Sequence, residues 1–291
     1  MRHNGPPLTS AAAVLLVIVF ASAACTQGDP SGGATVPVTP SGSLSDSSSN
    51  VWVVGVDITP GTYRSSGGGP FCTWERLRGL VGSSGEGIGG EIAWSGEIQT
   101  VTIMTDDAGF QAAPECGTWS PAPTTGPKAT EFGGGAWIVG VDIAPGRYRS
   151  SGRGDCFWRR LGGFGGTPSE SQRGSFGGIE TVDIVATDVG FASWDGCGSW
   201  SPAPTHGPRA TEFGSGAWIV GVDIAPGKYR SSGGDGVGYC SWSRLSAFDG
   251  DFYSAIELGG GRAGQSVTID ATDVGFGAHT SCGMWSLDSA S

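Results

Sequence analysis

The sequence is short of charge, and of positive charge above all. Charged residues make up 15% of the 291, with Lys plus Arg at 16 against Asp plus Glu at 27, a net charge of −11. No cluster of Lys and Arg occurs, so the basic footprint that a phosphate backbone demands is missing. Nucleic acid is therefore not an expected partner. Histidine numbers only three. There is no GxSxG, no HExxH and no phosphate loop. Carboxylates can work as acid and base in pairs, but no spacing selects a pair. The expectation is a chain that is not an enzyme and holds no cofactor. Long amphipathic helical patterns are absent too. The first apolar run, 11–24, has fourteen residues, too few to span a bilayer as a helix.

Glycine and aromatics are plentiful. The chain has 54 Gly, 11 Trp and 12 Phe. Large apolar groups in that number argue against wholesale disorder. Combined with many turn formers, they point to short strands joined by tight turns.

The run "AAAVLLVIVFASAA" follows Arg2 and leads into Cys25. A positive start, an apolar core and small residues are the parts of an export signal. The segment resembles the bacterial lipoprotein signal, which implies lipidation of the Cys25 thiol after cleavage at 1–24. Ordinary secretion, with cleavage after Ala23 or Ala24, is the alternative. Seven cysteines are present, and removing Cys25 leaves six. An odd cysteine in an exported chain needs a fate, and a thioether supplies one. Residues 25–49 are Ser, Gly, Thr, Pro and Asp with little else, the composition of a flexible tether.

The rest is one unit written three times, at 50–121, 134–202 and 215–287. The stretches 120–152 and 201–233 agree at 29 of 33 positions. Each copy opens on an apolar strand ("VWVVGVDI", 51–58, in the first) and continues through Pro-Gly to Tyr-Arg-Ser-Ser-Gly. Then come Cys-x-Trp-x-Arg-Leu, a variable Gly-rich stretch, a second apolar strand, Gly-Phe and Cys-Gly-x-Trp-Ser. Pro-Gly at 60–61, 145–146 and 226–227 reads as a type II turn between two strands. Period-two alternation puts Trp137, Val139 and Val141 on one face, and pairs Val182 with Ile184 and Val267 with Ile269.

The cysteines fall two per copy, separated by 44, 41 and 42 residues. The repeat selects Cys72–Cys116, Cys156–Cys197 and Cys240–Cys282 from the 15 pairings that six cysteines allow. A zinc site is disfavoured because CxxC pairs are missing and His206 and His279 have no counterparts. A loop of this length stabilises by roughly 4 kcal/mol on the chain-entropy argument. The fold class expected is all-β: three tandem, disulfide-stapled β modules, sandwich or barrel-like. Segments 122–133 and 203–214, rich in Pro and Gly, read as linkers, and the whole as beads on a string.

Repeated polar residues have two readings. Asp57, Asp142 and Asp223, Asp107, Asp188 and Asp273, Arg64, Arg149 and Arg230, and Arg76, Arg160 and Arg244 can be ion pairs and turn caps inside each module. Alternatively they line a repeated ligand site. The tryptophans of Cys-x-Trp are expected in the core, beside the disulfide. The variable stretches 78–97, 162–178 and 246–264 read as surface loops on a constant scaffold. Within them, Trp94, Phe176, Asp249, Asp251 and Tyr253 are the candidate ligand contacts.

This grammar, Pro-Gly-x-Tyr-Arg, Cys-x-Trp-x-Arg-Leu and Cys-Gly-x-Trp, resembles a recurring module of exported proteins and lipoproteins of Gram-positive bacteria. The resemblance spans nearly all of 50–287 and implies an extracytoplasmic place, at the cell membrane through a lipid anchor or, alternatively, secreted. It implies no activity. The expected function is noncatalytic binding of a cell-wall or extracellular component, with avidity as the reason for three copies. A structural spacer with no ligand is the alternative.

Overall fold

The computed structural model describes residues 50–80, 86–152, 154–233, 238–262 and 264–288. Module 1 contains β1 (Asn50–Val53), β2 (Gly61–Ser65), β3 (Cys72–Leu77), β4 (Gly87–Ala93), β5 (Thr100–Ile103), β6 (Gly109–Ala112) and β7 (Trp119–Pro121). Module 2 contains β8 (Gly135–Ile138), β9 (Gly146–Ser150), β10 (Trp158–Leu161), β11 (Ser171–Gly174), β12 (Thr181–Ile184), β13 (Gly190–Ser193) and β14 (Trp200–Pro202). Module 3 contains β15 (Glu212–Phe213), β16 (Gly216–Ile219), β17 (Gly227–Ser231), β18 (Cys240–Leu245), β19 (Ala255–Gly261), β20 (Ser266–Ile269), β21 (Gly275–Ala278) and β22 (Trp285–Leu287). Among the described residues, the only helical elements are single 3-10 turns.

Each module is a sandwich of two antiparallel sheets. In module 1 the sheets run β1-β6-β3-β4 and β5-β2-β7. Modules 2 and 3 repeat the arrangement as β8-β13-β10-β11 with β12-β9-β14, and β16-β21-β18-β19 with β20-β17-β22-β15. Both sheets feed one core. Phe110, from the Gly-Phe motif, is fully buried and lies 5.1 Å edge-on to Trp119 and 6.3 Å from Trp74. Phe191 and Phe276 hold the same place between Trp158 and Trp200, and between Trp242 and Trp285. The disulfides Cys72–Cys116, Cys156–Cys197 and Cys240–Cys282 close the cores, one per module.

Alternation explains Cys-x-Trp-x-Arg. Cys72, Trp74 and Arg76 point inward while Thr73 and Glu75 point out. A buried guanidinium needs a carboxylate. Asp107 supplies it, accepting from Arg76 Nε at 2.7 Å and Nη2 at 2.6 Å, and capping Met104 N at 2.7 Å. The same pairs form as Arg160–Asp188 and Arg244–Asp273. These repeated residues are thus ion pairs and turn caps.

Several expectations are corrected. The stretch 51–58 is not one strand. β1 ends at Val53, and the chain then turns tightly at Gly55, with φ of +84°, as it does at Gly140 and Gly221. Asp57 closes that turn by accepting from Val53 N at 2.9 Å. β1 and β2 belong to different sheets, so the repeated phrase is a crossover and not a hairpin. Gly61, Gly146 and Gly227 have φ between +153° and +159°, far from the roughly +80° of a type II turn. The variable stretches contain strands β4, β11 and β19. Their glycines hide them from pattern reading, yet serve the packing: a Cβ at Gly174 would sit 2.2 Å from the Trp158 ring, and one at Gly259 2.1 Å from Trp242.

The presumed linkers are not spacers either. Phe132 and Phe213 fall inside them and are buried in the cores of modules 2 and 3. Nor are the modules separate beads. Ala136 N donates to Ile98 O at 3.0 Å, Thr100 Oγ1 to Ala136 O at 2.7 Å and Thr102 N to Phe164 O at 2.9 Å. Arg76 Nη1 reaches Gly165 O at 3.1 Å, and Arg64 binds Asp142. The second junction repeats the set: Ala217 N to Ile179 O, Thr181 Oγ1 to Ala217 O, Asp183 N to Phe248 O, Arg160 Nη1 to Asp249 O, and Arg149 to Asp223. A recurring interface stacks the modules, as in repeat proteins. Pro and Gly composition carries no sign of it, because the contacts are largely backbone.

Candidate functional site

The stacked modules leave a cleft. Where β4 of module 1 and β10–β11 of module 2 diverge lies an open groove of about 1140 Å³. That is slightly more than the roughly 300–1,000 Å³ of typical small-ligand pockets. Alternation places its walls. Ala93 is buried at the end of β4, so Ile92 and Trp94 project outward, Trp94 with 55% of its surface exposed. Across the groove, Cys156 and Trp158 point inward, which turns Phe157 out, 46% exposed. Trp94 meets Phe71 edge-on at 5.4 Å, and Phe157 meets Trp194 edge-on at 4.9 Å. Trp94, Phe157 and Trp194 all line the cleft.

The aromatic pair of module 2 is peculiar to that module. Trp194 N donates to Phe157 O at 3.1 Å; the matching bonds are Ala113 N to Thr73 O and His279 N to Ser241 O. Thr73 and Ala113, or Ser241 and His279, therefore stand where module 2 carries two aromatics. A common scaffold has been given a different surface at one junction.

Polar groups are interleaved with the rings. Arg159 of module 2 spans to Glu91 of module 1, donating from Nη2 to Oε2 at 2.6 Å, with a second bond from Nη1 to Oε1. Glu75, Gln111, Thr73 and Arg173 also line the groove. Its charged side chains, Glu75, Glu91, Arg159 and Arg173, balance in sign.

Behind the Trp158 wall lies Glu180, fully buried. Its Oε1 accepts from Phe176 N at 2.5 Å, and its Oε2 from Trp158 Nε1 at 3.3 Å. Burial pushes its carboxyl up to about 7, against the downward pull of these bonds. Gln99 and Gln265 hold the equivalent places, each before the Thr or Ser that opens β5 or β20.

The expected contact residues do not gather in one place. Trp94 is in the cleft. Phe176 is not a surface contact: half-buried, it packs at the second junction against Ala217, Ile219, Leu245 and Phe248. A Cβ on Gly277 would meet its ring at 2.3 Å. Asp249 and Asp251 build a turn, with Asp249 accepting from Asp251 N at 3.0 Å and Ser254 Oγ at 2.7 Å, and Asp251 from Tyr253 N at 3.0 Å. No group of three or more potential metal ligands occurs among the described residues. Tyr253 is 91% exposed on module 3, away from the cleft. Cys25, with the export segment and tether, lies outside the described residues. Sequence reasoning missed Phe157, Trp194 and Ile92. The outward "x" of Cys-x-Trp, aromatic in one copy alone, is the signal that could have found Phe157.

Residues 45–120, 129–201 and 210–286 each match the Rv1352-like extracellular domain. The chain belongs to that family. It carries three of these domains in tandem, and they are extracellular or surface domains. No curated protein and no solved structure matches the chain.

Proposed function

We propose that this chain is a noncatalytic extracellular binding protein, held at the outer face of the membrane by a lipid on Cys25, with the cleft between modules 1 and 2 as its ligand site. The observation that carries the reading is the exposure of Trp94 from module 1 and of the Phe157–Trp194 pair from module 2 toward one groove. Large rings are ordinarily buried, and a concentrated apolar surface on an exported domain marks a contact site. The repeat then has a different use from avidity. Two modules make the walls, and the repeated interface holds them at a set separation.

A spacer is the second reading, favoured by the hydrogen bonds and ion pairs that join the three modules in a stack. Retention by envelope material separates the two. The full chain with Cys25→Ser is incubated with a washed envelope preparation, alongside Trp94→Ala and Phe157→Ala variants of it. Binding by the parent and loss in both variants supports the cleft. Equal or absent retention for all three supports the spacer. Release of the Cys25→Ser chain into the medium, with the parent chain membrane-bound, tests the anchor.

A further inference from the structure

We infer that the cleft takes an extended, uncharged saccharide, an inference that rests on the cleft being a ligand site at all. The lining chemistry selects among ligand classes. A pyranose ring has an apolar C–H face and a rim of hydroxyls. Trp94 and Phe157 offer half-exposed ring surface to such faces on opposite walls. Gln111, Thr73 and Arg173 supply donors and acceptors for hydroxyls beside them.

Other classes fit less well. Charge in the cleft balances, and Glu91 and Arg159 neutralise each other. An anionic or cationic polymer gains no net attraction there, and the chain's charge of −11 repels polyanions. An acyl chain requires a closed apolar channel. This groove is open and crossed by an ion pair. An extended peptide would add to the edge of β4. That edge is occupied at its centre: Gly90 N donates to Gly166 O at 3.2 Å, and a Cβ at Gly89 would lie 2.1 Å from Gly165 O. A continuous new strand has no room. A saccharide needs no backbone ladder.

The test is calorimetric titration of the full Cys25→Ser chain with four probes: the hexamers of N-acetylglucosamine, glucose and mannose, and dodecylphosphocholine below its micelle concentration. A fifth probe is an uncharged, Val- and Thr-rich octapeptide. The expected result is binding of at least one hexasaccharide. Trp94→Ala and Phe157→Ala should each weaken it at least tenfold. Trp94→Phe should recover most of the loss, and Tyr253→Ala should leave binding unchanged. Unfolding midpoints of the variants guard against loss of fold. Binding only of the amphiphile or the peptide, lost in the same two variants, overturns the saccharide and leaves the cleft standing as a site. Saccharide binding indifferent to Trp94 and Phe157 overturns the inference. Absence of saccharide binding also overturns it, and if envelope retention fails as well, the cleft falls with it.

Discussion

Arg64 of module 1 donates from Nη1 to Asp142 Oδ1 of module 2 at 2.8 Å, and both side chains are largely buried. Asp142 simultaneously caps its own module by accepting from Ile138 N at 2.7 Å. One carboxylate therefore closes a turn and ties two modules together. Arg149 and Asp223 repeat the tie one module later. Arg230, the third member of the series, has a side chain 68% exposed that comes no closer than 3.7 Å to its partner Asp288.

That asymmetry gives a prediction with an internal control. Asp142→Ala strands the Arg64 guanidinium and uncaps the turn, and should destabilise by about 3 kcal/mol. Arg230→Ala should change stability by no more than about 0.5 kcal/mol. Scanning calorimetry checks both. The hydrogen-bonded stack should melt in one transition, and Asp142→Ala should split it, with module 1 melting apart from the others.

Phe132 sits in a Pro- and Gly-rich segment yet packs against Tyr148 at 5.2 Å and Phe191 at 5.9 Å. Phe132→Ala should destabilise by about 3–5 kcal/mol, as for a buried aromatic in any core. Urea titration measures it. A change under 1 kcal/mol would return the segment to the status of a linker.

Much of this was legible beforehand. Cysteine spacing selects the disulfides, and alternation places Trp74 and Arg76 inward, because each is local arithmetic on a repeat. The stacking was not legible. Its contacts run through backbone atoms such as Ala136 N and Ile98 O, which no side-chain pattern marks. Phe132 was hidden by its neighbours' composition. β4, β11 and β19 were hidden by glycines, which erase alternation; Gly174 of β11 and Gly259 of β19 leave room for the Trp158 and Trp242 rings. The cleft follows from the stacking, so only Trp94 of its walls was anticipated.

Each disulfide contributes roughly 4 kcal/mol on the chain-entropy argument. Replacing Cys156 and Cys197 together by Ala should lower the unfolding midpoint of the chain substantially. Mass mapping of the unreduced chain should find the 156–197 bridge. A dominant bridge between modules would contradict the fold.

Glu180 makes stability depend on pH in an unusual direction. Its folded pKa stands at about 7, above the roughly 4.3 of an unfolded glutamate. Between those values the folded state binds more protons, so stability falls as pH rises from about 4.3 to 7, by about 4 kcal/mol in all. Glu180→Gln, which copies Gln99 and Gln265, should remove that slope and stabilise the chain at pH 8. Urea midpoints at pH 5 and pH 8 decide it. An unchanged slope in the variant would show that other groups set the dependence.

The cleft as ligand site is tested most directly by hydrogen exchange of the full Cys25→Ser chain, with and without solubilised envelope polymer. Slowed exchange should concentrate in β4, Gly87–Ala93, and around Phe157 to Arg159, with module 3 unchanged. Protection centred on the turn at 249–254, or none anywhere at saturating polymer, would contradict the account.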